Sequence, residues 1–280
     1  MLTVGGPLLI VLSELFLVLS GMLIKQLSEQ LPTTQIMFFR NFFALLLLAP
    51  WLMAAGAAVF KTQYIHWHFL RAVLGVSAMA CLYFAWGNLP LAQSALLKQT
   101  SPFFIPLIAF FWLKEQLHKQ VLAAIFIGFV GVYFILNPQQ GVINLVVLIA
   151  LLGALIGSFA KVTIRKLGQS ENSKLIVFYF SLFATLISLL PALYYWQQVS
   201  VMQLVWLLAL AVTSTIAQLL LSKAYRLSKA GVLAPFTYSS VFYAAIFGWF
   251  FWAEQISAAT VLGILLICSA GILAMRGSRA

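Results

Sequence analysis

The sequence predicts an all-α polytopic membrane protein of ten transmembrane helices, arranged as two inverted five-helix repeats. Three observations predict it. The composition is too apolar for water, ten apolar runs are each long enough to cross a bilayer, and the two halves of the chain echo each other.

Of 280 residues, 64% are hydrophobic and only 8% are charged, where soluble domains average about 25% charged. A chain so poor in charge could not cover its own surface in water, so its main solvent is lipid. Aspartate is absent, and the acids are Glu14, Glu29, Glu115, Glu171 and Glu254. A net charge of +11 on a soluble protein would suggest nucleic acid as partner. Here the basic residues sit mostly in short connections between apolar runs, which makes them a topology signal and excludes nucleic acid as the expected partner. Cys81 and Cys268 lie inside apolar runs with no pairing motif. His66, His68 and His118 fall near run ends without ligand spacing and read as interfacial. No disulfide framework, metal or cofactor is therefore expected. The N-terminus lacks the basic region and cleavage site of a secretory signal, so the first run reads as a retained helix.

A spanning helix needs about 20 apolar residues. The ten runs are 4–24, 33–54, 67–86, 91–112, 120–136, 142–164, 175–195, 202–221, 232–252 and 258–275. Turn-forming residues punctuate them at Leu31-Pro32-Thr33, Asn88-Leu89-Pro90 and Asn137-Pro138, as breaks between helices require. With the N-terminus cytosolic, that side receives Lys61, Arg71, Lys114, Lys119, Arg165, Lys166, Lys174, Lys223, Arg226, Lys229, Arg276 and Arg279, and the other side only Lys25. Such a Lys/Arg bias sets orientation. The expected location is the bacterial inner (plasma) membrane, with both termini cytosolic. Trp51, Trp67, Trp86, Trp112, Tyr194, Tyr195, Trp196 and Trp252 lie at run ends and fit an interfacial aromatic belt.

The halves match at a shift near 140 residues. Trp112-Leu113-Lys114-Glu115-Gln116-Leu117 is echoed by Phe251-Trp252-Ala253-Glu254-Gln255-Ile256. Ala85-Trp86 is echoed by Ala224-Tyr225, and Phe38-Phe39 with Pro50 by Tyr179-Phe180 with Pro191. The common order of these matches indicates a repeat, with one copy over 1–138 and the other over 139–280. Five helices per copy force the second into the membrane upside down. Glu115 and Glu254 can then each sit at the start of the following helix, where a carboxylate is favoured by the helix dipole.

Phe39-Arg40, the run Asn88-Leu89-Pro90-Leu91-Ala92-Gln93-Ser94-Ala95, Trp112-Leu113-Lys114-Glu115 and Trp252-Ala253-Glu254 together resemble the drug/metabolite transporter superfamily, in its ten-helix branch with two EamA-type repeats. The resemblance covers essentially the whole chain. It implies transport through a central cavity by proton coupling or exchange, and it leaves the substrate open. The second repeat departs from the first at Arg40, where Ser181 is the aligned residue.

Four ionisable residues lie within the spans: Glu14, Arg40, Lys98 and Lys161. A charge at the bilayer centre costs at least about 2.5–3.5 kcal/mol on insertion scales, so such residues face the bundle interior or water. Glu14 lies near the midplane, and Lys98 lies eight residues beyond Pro90, roughly 12 Å deep at the helical rise. The two can meet, either as a packing ion pair or as a substrate or proton site. Lys161 is about one turn from Arg165 and can snorkel to the interface.

The fourth run carries Gln93, Ser94, Lys98, Gln99, Thr100, Ser101, Pro102 and Pro106, and the ninth Pro235, Thr237, Tyr238, Ser239, Ser240 and Tyr243. Proline-interrupted, polar segments at corresponding repeat positions point to a transporter's binding site, although small polar residues also knit helices together. The eighth run adds Thr213, Ser214, Thr215 and Gln218. The expected substrate-binding set is Glu14, Arg40, Lys98, Gln99, Ser101, Gln218, Thr237, Tyr238, Ser240 and Tyr243. Lys98 and Arg40 suit an anionic group, and Glu14 an ammonium or a proton.

The charge set favours a secondary transporter of a small polar, anionic or zwitterionic, amino-acid-like metabolite. A channel-like facilitator is the alternative, and a membrane-embedded enzyme a weaker one, since it would need clustered His, Asp or Cys. A scaffold without substrate is a fourth class. No nucleotide-binding loop is present. The partners implied are a small-molecule substrate and the lipid bilayer, with a homodimer as one option for assembly.

Overall fold

The computed structural model describes residues 5–55, 61–113, 145–228 and 233–254, with isolated helical positions within 119–131 and 258–273. The fifth and tenth runs, and with them Lys114, Glu115, His118 and Cys268, fall largely or wholly outside the described residues. The remaining runs are all helical. They form α1 (Gly5–Ser28), α2 (Thr33–Ala55), α3 (Ile65–Asn88), α4 (Leu91–Lys98), α5 (Ser101–Leu113), α6 (Leu145–Leu167), α7 (Ser173–Tyr194), α8 (Val201–Leu227) and α9 (Ser239–Trp252). A 3-10 segment, Ala234–Tyr238, precedes α9.

Among the described residues, seven stretches are long and apolar enough to cross a membrane, one of them running through α4 and α5. In hydrocarbon the backbone must satisfy its own hydrogen bonds, and helices do this within one segment. The polar ends are closed by side chains. Asn172 accepts from the amide of Lys174, and Ser200 and Gln203 form a reciprocal capping box. Large apolar side chains such as Leu190, Trp249 and Phe250 stand exposed on the outer surface, as a lipid-facing bundle requires.

The helices pair across the two halves. α1 packs on α8, α2 on α7, α3 on α6, and α4 on α9. The pairing is reciprocal: the first helix of one half lies on the third of the other, second lies on second, and fourth on fourth. The α3–α6 contact is close because α6 carries Gly153 and Gly157. A Cβ on Gly153 would stand 2.7 Å from Cys81 Cβ, and one on Gly157 would stand 3.6 Å from Ala78 Cβ. Small residues spaced in this way let backbones approach in a membrane.

One run read as a continuous helix is broken, and a second changes helix type. The 91–112 run is interrupted at Gln99-Thr100, between α4 and α5. The amide of Gln99 is shared between the carbonyls of Ala95 and Leu96, and that of Thr100 bonds Leu97, a 3-10 tightening that ends α4. Pro102 lacks an N–H and disfavours helical geometry at the residue before it, so a new helix starts there. The 232–252 run likewise begins as 3-10 turns and becomes α-helical only at Ser239.

Candidate functional site

The broken α4 brings Lys98 to the middle of the bundle. Its ammonium donates to Glu14 Oε2 of α1 at 2.6 Å, and the two side chains are 11% and 3% exposed. Lys98 lines a central cavity of about 130 Å³. Glu14 stands behind it and is absent from the lining.

Three further cations line the same cavity: Arg40 of α2, Arg71 of α3 and Lys161 of α6. Arg40 donates through Nε to Ser214 Oγ at 2.8 Å and through Nη1 to Asn41 Oδ1 at 2.6 Å. Arg71 donates through Nη2 to Gln218 Oε1 at 3.1 Å. Both guanidinium groups lie over the ring of Phe180, 5.6 Å and 3.8 Å from its centroid. Ring quadrupoles attract cations, and more so when water is excluded. Gly75 makes room for this arrangement, because a Cβ there would come within 2.5 Å of Arg71 Nη1 and 2.6 Å of the Phe180 ring. Tyr83, Trp86 and Leu17 supply much of the apolar wall.

Of the ten residues expected to bind substrate, Arg40, Lys98 and Gln218 line the cavity, with Glu14 directly behind. The other six do not line it. Gln99 Nε2 donates to the Thr237 carbonyl at 2.8 Å and to Ser240 Oγ at 2.6 Å, tying the break in α4 to the 3-10 segment. Ser101 donates to the Ala154 carbonyl, and Ser158 donates back to the Ser101 carbonyl. Tyr238 packs with Leu89, Leu97 and Val147. Tyr243 packs against the main apolar core beside Phe242. These six hold helices together around the cavity. Of the secondary positions, Ser214 lines the cavity, while Thr213 bonds Ser20 at 2.9 Å.

Arg71 corrects the charge count. The run pattern places it with a cytosolic connection, yet it is 4% exposed and faces the cavity. It lies in the second turn of α3, and its long stem carries the charge inward. Lys161 also points into the cavity and does not snorkel to the interface. Trp86 is buried in the cavity wall and is no belt residue. His68, in the first turn of α3, is fully buried, 4.0 Å from Glu171 Oε1 and with its ring 4.6 Å from that of Tyr179. A charged residue inside an apolar run was the available signal for Arg71.

At the end of the bundle away from His68, Glu254 pairs with Lys25, which also lies over the Trp252 ring at 5.2 Å. The Glu254 carboxylate accepts from the Leu91 amide at 2.9 and 3.0 Å. This carboxylate thus sits at the start of α4, where a helix dipole favours it; the start of the helix following Glu254 lies outside the described residues. Ala253, just before it, has a left-handed backbone with φ 49°.

Among the described residues, no group of three or more His, Cys, Asp or Glu could hold a metal. The EamA-like transporter family model matches the chain twice, over residues 4–137 and 144–276. The chain belongs to the EamA-like transporter family. It is similar to the pseudopaline exporter CntI of Pseudomonas aeruginosa, 31% identical over 271 residues that cover 96% of this chain and 95% of that one. It is also similar to the riboflavin transporter of Vibrio cholerae, 29% identical over 78% of this chain and 74% of that one. An S-adenosylmethionine uptake transporter of Rickettsia bellii is 26% identical over 88% of this chain and 84% of its own. One solved crystal structure superposes with a TM-score of 0.71 at 17% identity, covering 98% of this chain and 96% of the other, which shows a shared fold. As an EamA-like family member the chain is an integral membrane transporter of a small molecule, and not an enzyme.

Proposed function

We propose that this EamA-like protein is a ten-helix secondary carrier of a small polar, anionic or zwitterionic, amino-acid-like metabolite. It works by alternating access, with proton coupling or exchange. In this reading two inverted repeats, 1–138 and 139–280, face each other across the cavity, and both termini lie in the cytosol of a bacterium. The cavity is the observation that carries it. Cations from both halves converge on one central space, and buried charges in a membrane are costly unless a pathway or ligand uses them. The reciprocal helix pairing and the twofold family match support the repeat. Moving Arg71 off the cytosolic tally leaves the Lys/Arg bias strongly one-sided, which supports the orientation.

The named cargoes of the relatives differ from one another and include both uptake and export, so the cavity itself is the better guide to substrate class. The partners are a soluble small molecule and the bilayer, with no nucleic acid, and a homodimer is compatible with this arrangement. Counterflow in proteoliposomes tests the reading. Vesicles preloaded with unlabelled amino or organic acids should accelerate saturable entry of the labelled compound, and Lys98→Ala should abolish it while the protein stays folded. Linear, non-saturable flux would instead identify a channel.

A further inference from the structure

We infer that the central cavity takes a soluble metabolite bearing at least two acidic groups, carboxylate or phosphate. This deepens the carrier reading and rests on it. Arg40, Arg71, Lys98 and Lys161 line the cavity, and Glu14 is the acid paired with them. Four cations against one carboxylate leave a surplus of three positive charges. A ligand with one acid group would leave two of these uncompensated in a low-dielectric space, where each desolvated charge is expensive. A ligand with two or three acid groups cancels most of the surplus.

Arg71 also points to an anionic ligand. Its Nε and Nη1 are buried and have no hydrogen-bond partner, and only Nη2 is bonded. Buried donors without partners carry a full desolvation penalty, so their presence on a cavity wall points to an acceptor that arrives with the ligand. The cations also fall into two groups. Arg40 and Arg71 share the Phe180 ring, and guanidinium groups suit planar oxyanions. Lys98 comes from the broken α4 and Lys161 from α6. One acidic group fits the arginine platform, and the second fits the lysine side. A simple monocarboxylate or an organic cation does not fit.

Thermal melting of the purified full chain in nanodiscs tests this with acetate, alanine, succinate, citrate and inorganic phosphate at matched ionic strength. The melting temperature should rise with acid count: little for acetate or alanine, more for succinate, and roughly 5 °C or more for saturating citrate. Arg71→Gln and Lys161→Gln should each cut the affinity for citrate at least tenfold. Arg71→Lys, which keeps the charge, should retain more of the response and guards against misfolding of the glutamine variant. Equal shifts for acetate and citrate, or responses unchanged in both glutamine variants, would overturn the inference. Alanine stabilising and driving counterflow while citrate and succinate do neither would also overturn it, yet leave the carrier reading standing. Citrate binding that depends on Arg71 but supports no counterflow would uphold the site and remove the carrier reading. Nanodiscs of phosphatidylcholine and of phosphatidylglycerol separate a soluble ligand from a lipid headgroup. A citrate response present in both supports the inference, and one replaced by phosphatidylglycerol alone overturns it.

Discussion

Lys98 of α4 and Glu14 of α1 form a buried ion pair, 2.6 Å from ammonium to carboxylate, at the edge of the central cavity. Removing one partner strands the other charge, a change that costs about 3–5 kcal/mol in buried pairs. Glu14→Gln and Lys98→Met should each lower the melting temperature sharply. The double variant should recover much of the loss but not transport. A double-mutant cycle of melting and counterflow separates the two effects, and a transporting double variant would relegate the pair to packing.

Gln99 bridges the end of α4 to the 3-10 segment through the Thr237 carbonyl and Ser240 Oγ. It does not line the cavity. Gln99→Ala should therefore cost roughly 1–3 kcal/mol of stability, the scale for buried polar groups left unpaired. Ligand affinity should stay near wild type. Isothermal titration beside thermal melting checks this, and a loss of affinity without loss of stability would return Gln99 to the binding site.

Lys25, Glu254 and the Leu91 amide tie α1, α9 and α4 together at one end of the bundle. Glu254→Gln should loosen this end by about 3 kcal/mol, roughly a hundredfold in a conformational equilibrium. Gly248→Ala should act in the same direction, because a Cβ there would stand 2.5 Å from Glu254 Oε2. Thiol labelling of a cysteine placed in the cavity wall measures the opening. Accessibility unchanged from wild type in both variants would show that these contacts do not control entry.

Gly153 permits the close α3–α6 approach. Gly153→Val should cost about 1–3 kcal/mol through overpacking and separate Lys161 from the α3 side of the cavity. Melting and citrate titration should both weaken, in contrast to Gln99→Ala.

Ala253 holds a left-handed conformation, which disfavours a side chain by about 1 kcal/mol or more. Ala253→Gly should raise stability by about that amount while leaving the Lys25 to Glu254 contact intact. Melting curves decide it, and a lower melting temperature would contradict the prediction.

The helices were legible because apolar run length and turn residues report directly on the bilayer. The meeting of Glu14 and Lys98 was legible from depth alone. The rest of the cavity was not, for a physical reason. In lipid both faces of a helix are apolar, so the periodicity that marks the inner face of a soluble helix is weak. A charge inside the 67–86 run marks Arg71 as inward-facing, but nothing in the α3 sequence says that Gly75 and Ala78 share that face, and nothing local brings Phe180 beneath Arg71. Those facts depend on contacts between α3 and α7. The serines, threonines and tyrosines of the broken segments drew attention as polar groups. In hydrocarbon the same polarity is satisfied between helices, as Ser101 and Gln99 show.

The platform that Phe180 offers to two guanidinium groups has a consequence for the transport cycle. An unloaded protein carrying this excess of positive charge would have to reorient with it exposed to a shrinking, drying space. A bound acid lowers that barrier, so the loaded form would turn over more readily than the vacant one. In the proposed carrier, such a bias would make one-for-one swapping of solutes faster than net movement.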